Sequence, residues 1–310
     1  MRVVYMGTPD FAVKPLEALI SNNYDVVGVF TQPDKPVGRK AILTPPPVKV
    51  VATENNIPVF QPDSLKNGVG VKILEELKPD VVIVVAYGKI LPKDFLEFAK
   101  YGCINIHGSI LPEYRGAAPI QWSVLDGKEF AGVTSMQMDE GLDTGDILLV
   151  EKTKIEPDET SGDLYERLTV LGADVLLKTL VAVEKGELAP LKQDDTKSSY
   201  AKMLDKSLSK IDWNLNAQDV HNKIRGLDPW PVALTVYEGK NLKLFRSRLL
   251  NEEYNKPAGS VYQSKDGIIV VCGDKKAVLI TEVQLEGKKR MSAIDFSRGA
   301  KLTDGIIFES

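Results

Sequence analysis

Short apolar runs alternate with amphipathic stretches along the first half of the chain. Arg2–Met6 is rich in β-forming residues, and the spacing of apolar positions in Phe11–Ile20 predicts a helix after it. Val81–Ala86 is an unbroken apolar run, so both of its faces are expected to be buried, as in the centre of a parallel sheet. The alternation predicts an α/β fold built on a doubly wound, mostly parallel Rossmann-like sheet. Further strands are predicted over Tyr24–Phe30, Gly102–Ile106, Gly132–Met136 and Asp146–Thr153.

The pattern changes after a long predicted helix. Apolar residues recur at helical spacing through Ser161–Lys185, and Gly186 then provides a helix stop. Pro190–Ser199 is polar and rich in Asp, Ser and Lys, which favours a linker. Beyond a predicted helix at Ala217–Arg225, five short apolar runs separated by turn residues predict a smaller, OB-like β-barrel. These runs are Ala233–Tyr237, Leu242–Leu250, Gly259–Tyr262, Ile268–Cys272 and Ala277–Val283.

The 310 residues are therefore predicted to form two domains, over 1–189 and 208–310, joined by a linker over 190–207. No stretch of about 20 apolar residues is present, and the first residues lack the apolar run of a secretory signal. Cys103 and Cys272 lie far apart in apolar surroundings, which favours buried thiols in a reducing compartment. A cytoplasmic protein that does not contact a membrane is expected.

The net charge of −4 argues against a dedicated nucleic-acid binder, but the charge is unevenly distributed. Residues 1–199 hold 21 basic and 29 acidic residues, whereas residues 200–310 hold 18 basic and 14 acidic residues. The basic C-terminal third allows contact with a polyanion. A difference of this size is also common between domains.

The turn after the first strand does not match a dinucleotide site. Gly7–Ala12 has the position of such a fingerprint but lacks its second and third glycines, and Pro9 occupies the turn. A GxxxxGK[ST] phosphate loop is also absent from the sequence.

Two histidines are the candidates for a group that titrates near neutral pH. His221 lies inside a predicted helix, where a surface or packing role is expected. His107 follows the strand at Cys103–Ile106, at the edge where open α/β sheets bind ligands. Asn105 is two residues away and faces the same side, so an amide and an imidazole together could polarise one carbonyl oxygen. A histidine satisfied within a turn is the alternative.

Asp143 is a third candidate, because it lies between glycines in a loop that joins two predicted strands. Taken by itself, the loop is typical of a turn with an Asp–backbone hydrogen bond. Asn105, His107 and Asp143 together could perform acyl transfer, since two donors stabilise an oxyanion and a carboxylate supports the imidazole. A serine hydrolase using Ser109 lacks the GxSxG elbow, and a metal site lacks enough ligands.

The residues around this strand end form the run Asn105–Gln121, which reads NIHGSILPEYRGAAPIQ. This run resembles the signature of methionyl-tRNA formyltransferases. Similar motifs span both predicted domains in the family's order. They are Gly7–Ala12, Phe30–Asp34, Ala86–Pro92, Met136–Asp139, Gly141–Asp146 and Ile224–Pro231.

The resemblance implies transfer of a formyl group from the co-substrate 10-formyltetrahydrofolate to the α-amine of methionine on initiator methionyl-tRNA, for translation initiation. It assigns the catalytic roles to Asn105, His107 and Asp143 and requires no metal. Asn105 and the imidazolium of His107 would stabilise the tetrahedral oxygen, and Asp143 would keep His107 charged and assist proton movement through water. The folate-binding residues implied are Ser109, Ile110, Leu111 and Pro112, with Ala86, Tyr87 and Gly88 packing against the pterin.

The family also grips the tRNA acceptor end with a loop, which corresponds here to Asp34–Lys49. This segment is too rich in proline to favour a helix, and Arg39, Lys40 and Lys49 are its expected phosphate contacts. The β-barrel domain is expected to add a tRNA surface, and the protein is expected to be a monomer. Basic candidates on that surface are Lys206, Lys210, Lys223, Arg225, Lys243, Arg246 and Arg248.

Two alternatives remain at this point. The first is another enzyme that uses 10-formyltetrahydrofolate, either a hydrolase or a transferase to a sugar or nucleotide amine. The second is an RNA-binding module without catalysis. The three polar residues argue against the second alternative, and the Asp34–Lys49 segment argues against a small acceptor.

Overall fold

A computed structural model describes residues 1–38, 40–300 and 302–309. Two compact units make up the chain. The first comprises Met1–Gly116, Gly132–Thr153 and Tyr165–Tyr200, and the second comprises Ala117–Ala131, Lys154–Leu164 and Ala201–Ser310. The predicted domains are each continuous in sequence, whereas the second unit includes two short segments that precede residue 189.

A seven-stranded sheet forms the first unit, in the strand order β10-β9-β7-β6-β1-β2-β5. Strands β5, β2, β1, β6 and β7 run parallel, and β9 pairs with β7 in the antiparallel direction. The predicted α/β, mostly parallel sheet is confirmed. Its strands are β1 (Arg2–Gly7), β2 (Asp25–Phe30), β5 (Val59–Phe60), β6 (Val81–Val85), β7 (Cys103–His107), β9 (Phe130–Gln137) and β10 (Ile147–Lys154).

Strand β6 lies between β1 and β7, and all five of its residues are buried, as its apolar run predicts. The predicted helix Ser161–Lys185 is confirmed with the same bounds, and the helix predicted over Phe11–Ile20 begins as a 3₁₀ turn at Asp10–Ala12. The α-helices between residues 13 and 185 are α1 (Val13–Ser21), α2 (Pro47–Glu54), α3 (Val69–Leu77), α4 (Lys93–Leu96), α5 (Pro119–Leu125) and α6 (Ser161–Lys185).

The expectation that Asp34–Lys49 forms no helix is wrong. The segment contains a hairpin of β3 (Lys35–Val37) and β4 (Ile42–Thr44), and α2 begins at Pro47. Proline is tolerated there because the first helical position has no N–H partner inside the helix. The predicted linker also carries regular structure, since β11 (Tyr200–Ala201) pairs with β8 (Arg115–Gly116).

An antiparallel sheet forms the second unit, in the order β12-β13-β16-β15-β14, with β17 paired to β16. Bridges from Glu309 to Val236 of β12 and from Ile307 to Ser260, the residue before β14, connect residues 307–309 to both edges of this sheet. These bridges close the predicted barrel. Its elements are α7 (Ala217–Gly226), β12 (Ala233–Tyr237), β13 (Lys240–Leu250), β14 (Val261–Ser264), β15 (Gly267–Val271), β16 (Ala277–Leu285), β17 (Met291–Ser292) and α8 (Ala293–Gly299).

Candidate active site

Strand β7 presents Asn105 and His107 at the carboxyl ends of the parallel strands. All five residues of the strand are buried, and the intervening Ile106 is 2% exposed. Because side chains alternate along a strand, Asn105 and His107 share one face while Ile106 packs on the other. The sequence-predicted pairing of amide and imidazole is present in the structure.

The ring of His107 is held by a backbone carbonyl. Nε2 lies 2.9 Å from the carbonyl oxygen of Tyr114, which can only accept a hydrogen bond. The proton is therefore assigned to Nε2, and Nδ1 is the nitrogen that faces Asp143. Nδ1 lies 3.8 Å from Oδ1 of Asp143.

Asp143 is the point on which the other groups converge. Its Oδ2 accepts a hydrogen bond from the N–H of Gly116 at 2.8 Å, and its Oδ1 lies 3.4 Å from the Nδ2 donor of Asn105. The side chain is 12% exposed. The Nδ2 donor of Asn105 and Nδ1 of His107 thus lie near the same carboxylate oxygen, at 3.4 and 3.8 Å.

The loop that carries Asp143 depends on tight backbone geometry. Asp143 itself has a left-handed φ of 55°. At Gly145 a Cβ would lie 1.7 Å from the carbonyl oxygen of Gln137, so only glycine fits there. The glycines of this motif therefore position the carboxylate.

Two residues that the sequence did not single out support the same loop. Gln193 Nε2 donates to the carbonyl oxygens of Asp143 and Gly145 at 2.8 and 2.7 Å. Its Oε1 accepts from Nε and Nη2 of Arg115 at 3.1 and 2.9 Å. Arg115 lies inside the quoted motif, but nothing in the polar run 190–199 distinguishes Gln193 from its neighbours.

The proposed folate segment Ser109–Pro112 follows β7 and is fixed by Thr134. The hydroxyl of Thr134 donates to the carbonyl of Ser109 at 2.7 Å and accepts from the N–H of Leu111 at 3.1 Å. Ser109 and Leu111 are buried, whereas Ile110 and Pro112 are half-buried. Two hydrogen bonds to Thr134 thus hold the segment, and Ile110 and Pro112 are its partly accessible residues.

The second proposed folate segment, Ala86–Gly88 at the end of β6, also alternates between accessible and buried residues. Ala86 and Gly88 are exposed and have positive φ angles of 48° and 81°. Tyr87 is 1% exposed and belongs to the core cluster of the sheet, so its ring contributes to the core. Burial raises the pKa of Tyr87 to about 12, and its hydroxyl has no hydrogen-bond partner among the described residues. The backbone here is the part available to a ligand.

The structure separates the three expected tRNA contacts of the Asp34–Lys49 segment. Arg39 lies outside the described residues. Lys40 is exposed in the turn between β3 and β4. Nζ of Lys49 instead lies 2.8 Å from Oδ2 of Asp34 and 2.8 Å from Oε1 of Gln61, which ties the base of the hairpin together. Hydrogen bonds from Gln61 and Lys49 lower the pKa of Asp34.

Several basic candidates of the second unit are used internally. Arg225 is 5% exposed and donates to Oδ1 of Asn222 at 3.0 and 2.8 Å. Arg246 pairs with Asp163 at 2.6 Å, and Arg248 lies 3.5 Å from the carboxylate of Asp158. Lys223 is half-buried, and burial lowers its pKa. The exposed candidates are Lys206, Lys210, Lys243 and Arg248, the last despite its contact with Asp158.

No helix within the described ranges is long and apolar enough to cross a membrane. Over the same residues, no group of three or more His, Cys, Asp or Glu side chains could hold a metal ion.

Comparison with known proteins gives a consistent result. The formyl transferase family profile matches residues 1–180, and the profile of the formyl transferase C-terminal domain matches residues 203–301. The fold is similar to that of a sugar 3N-formyl transferase crystallised in the presence of dTDP and 5-N-formyl-THF. The TM-score is 0.70 at 22% identity, over 93% of this chain and 99% of that one. At that identity the likeness concerns the fold alone.

Closer relatives come from bacteria. The chain is 48% identical to the methionyl-tRNA formyltransferase of Lachnospira eligens, over 99% of each protein. It is 46% identical to the enzyme of that name from Bacillus subtilis, over 99% of this chain and 97% of the relative. The predicted resemblance is confirmed, and the chain belongs to the methionyl-tRNA formyltransferase family.

Proposed function

We propose that this protein transfers a formyl group from 10-formyltetrahydrofolate to the α-amine of methionine on initiator methionyl-tRNA. The observation that carries the proposal is the convergence of Asn105 Nδ2 and His107 Nδ1 on Oδ1 of Asp143, in a chain that matches relatives of this name over nearly its whole length. Acyl transfer needs donors aimed at one developing oxyanion, and Asn105 Nδ2 together with a protonated His107 Nδ1 would supply two.

The reaction follows from the orientation of the three side chains. The amine nitrogen attacks the formyl carbon, and a C–N bond forms as the carbonyl oxygen becomes an oxyanion. Asn105 Nδ2 and protonated His107 Nδ1 stabilise that oxygen, while Asp143 stabilises the positive charge of the ring. The bond from the formyl carbon to N10 of the folate then breaks. The proton lost by the amine passes to N10 through Asp143 and water.

The co-substrate is proposed to bind along the two segments that follow β6 and β7. Exposed backbone at Ala86 and Gly88, with Tyr87 between them, would face the pterin from one side. Ser109–Pro112 would face it from the other, with Ile110 and Pro112 contributing their half-buried surfaces. Folate is released after each turnover, so it acts as a substrate.

For the acceptor, we propose that the β3–β4 hairpin contacts the tRNA. Its exposed apolar residues Val37, Ile42 and Leu43 flank the turn that carries Lys40. Arg39, which precedes Lys40 in the sequence, is proposed as a further phosphate contact on sequence grounds alone. The Asp34–Lys49 ion pair supports this role by fixing the hairpin base, so Lys49 acts on the tRNA through the hairpin. Replacing Lys40 by Ala is expected to weaken tRNA use and flatten its salt dependence, measured as KM for tRNA at several salt concentrations. An unchanged salt slope would remove Lys40 from the contact.

Residues 1–189 are proposed to carry the transfer chemistry and residues 208–310 to add tRNA contacts through their exposed lysines. We further propose a monomer that works in the cytoplasm, where its tRNA substrate is found.

The deciding experiment measures formyl transfer from 10-formyltetrahydrofolate to methionyl-tRNA, with initiator and elongator species compared and tRNA-free folate turnover as the blank. Product on the initiator species alone is expected. Folate turnover without tRNA would instead identify a hydrolase. Binding of tRNA without any turnover would identify a non-catalytic RNA-binding module.

A further inference from the structure

The side chain of Gln193 uses its whole hydrogen-bonding capacity beside the catalytic carboxylate. It is 7% exposed. Its two N–H groups donate to the carbonyl oxygens of Asp143 and Gly145, and its oxygen accepts two hydrogen bonds from Arg115. The amide therefore links the backbone of Asp143 and Gly145 to the guanidinium group of Arg115.

This arrangement requires an amide. A carboxylate at position 193 would attract Arg115 but would face two carbonyl oxygens without a proton to donate. An apolar side chain of the same length would leave two carbonyls and a guanidinium without these partners. Arg115 is anchored in turn by Asp195, whose Oδ1 lies 2.8 Å from Nη2 of Arg115. The polar network extends through the segment 193–195.

The same segment supports His107 by a separate route. Oγ of Ser199 accepts a hydrogen bond from the N–H of Tyr114 at 2.8 Å, and the carbonyl of Ser199 accepts from the N–H of Arg115 at 2.9 Å. The carbonyl of Tyr114 is the group that holds Nε2 of His107. Gln193 thus supports the loop that carries the carboxylate, and Ser199 supports the backbone that holds the imidazole.

We propose that Gln193 is a positioning residue that sets the orientation of Asp143 relative to His107 and Asn105. The inference rests on the proposed function for its catalytic consequence. Because Gln193 contacts the backbone of the Asp143 loop, its loss should affect turnover more than binding of either substrate. A displacement of catalytic groups of about 1 Å costs roughly 100-fold in rate.

The kinetic test uses Gln193→Met, which keeps the side-chain length and removes every hydrogen bond. We expect kcat to fall about 10- to 100-fold, while KM for folate and for tRNA stays within about twofold. Gln193→Glu is the second variant. It should also lower kcat, because it keeps the contact with Arg115 but loses the two hydrogen bonds to the carbonyls of Asp143 and Gly145. Asp194→Asn is the matched control, since its carboxylate bonds to Thr196 in the same segment, and kcat should not change.

The spectroscopic test exploits the presence of only two histidines in the chain. In protein labelled at the histidine rings, Gln193→Met should shift the NMR signals of His107 and leave those of His221 unchanged. This readout does not depend on catalysis, so it tests the inference even if the wild-type protein fails to formylate methionyl-tRNA. Wild-type kcat in Gln193→Met, or equal shifts of both histidines, would overturn the positioning role.

Discussion

The two histidines have similar immediate surroundings in two different units of the protein. Both are buried, at 7% exposure for His107 and 1% for His221. In each ring, Nε2 lies 2.9 Å from a backbone carbonyl oxygen, that of Tyr114 for His107 and that of Pro157 for His221. Since a carbonyl only accepts, the same tautomer is assigned to both rings.

The two rings differ at the second nitrogen. Nδ1 of His221 lies 2.8 Å from the hydroxyl of Ser247, which completes its hydrogen bonding. Within residues 1–38, 40–300 and 302–309, no side chain or backbone group makes a hydrogen bond to Nδ1 of His107, and the Asp143 carboxylate lies 3.8 Å away. Burial lowers the pKa of His221, and the charge of nearby Arg225 adds to that effect. Each ring also lies 3.8 Å from a carboxylate oxygen, that of Asp143 for His107 and that of Asp158 for His221. The Nδ1 without a hydrogen bond, more than burial or a nearby carboxylate, therefore separates the proposed catalytic ring from the structural one.

The largest expected effect follows from removing the imidazole of His107, the proposed catalytic ring. His107→Ala should lower the rate of formyl transfer by roughly 100-fold or more, since it removes an oxyanion donor and a proton carrier. Single-turnover kinetics measure this loss. His221→Ala is the matched control and should keep the wild-type rate where the protein remains folded. A similar loss of rate in both variants would refute the distinction.

The second largest effect on the rate is expected from changing the carboxylate of Asp143. Asp143→Asn keeps an oxygen able to accept from Gly116 but removes the negative charge that faces His107. We expect a loss of roughly 10- to 100-fold in kcat, smaller than for His107 because both oxyanion donors remain. Steady-state kinetics with each substrate varied would show the loss in kcat with little change in KM. A wild-type kcat would mean that the free nitrogen works without the carboxylate.

Replacing His221 should affect the free energy of unfolding more than the rate of formyl transfer. His221→Ala leaves the Ser247 hydroxyl and the Pro157 carbonyl without this partner, and the free energy of unfolding should fall by about 2 kcal/mol. Denaturant unfolding of wild type and variant measures the difference. An unchanged unfolding midpoint would show that the two hydrogen bonds of His221 contribute nothing net.

The smallest expected effect is a pH dependence of stability. The folded pKa of His221 lies below the unfolded value of 6.5, so the unfolded chain binds more protons between the two values. The stabilisation is fully present above the unfolded pKa and is lost as the pH falls through this window. Compared with His221→Gln, the wild type should therefore lose more unfolding free energy between about pH 7 and about pH 5. Equal pH slopes for the two proteins would contradict the assigned shift.

Much of the fold was predictable because the controlling patterns are local. The apolar run at Val81–Val85 and the spacing within Ser161–Lys185 each depend on neighbours a few residues away. The hairpin at Lys35–Thr44 was not predicted, since its three-residue strands are exposed and lack a buried face. The roles of Arg246 and Arg248 were equally hidden, because their carboxylate partners lie more than 80 residues away in sequence.

In the candidate site, too, local features were predictable from the sequence and long-range contacts were not. Alternation along one strand placed Asn105 and His107 on a common face, and the bracketing glycines marked the Asp143 loop, so the sequence by itself determined which groups are candidates. Tertiary structure alone decided which nitrogen of His107 is held and which is free, because the carbonyl of Tyr114 and the Asp143 carboxylate reach the ring only through folding. It also decided that Gln193 supports the Asp143 loop, because a contact between residues 50 positions apart produces no periodic pattern in the sequence.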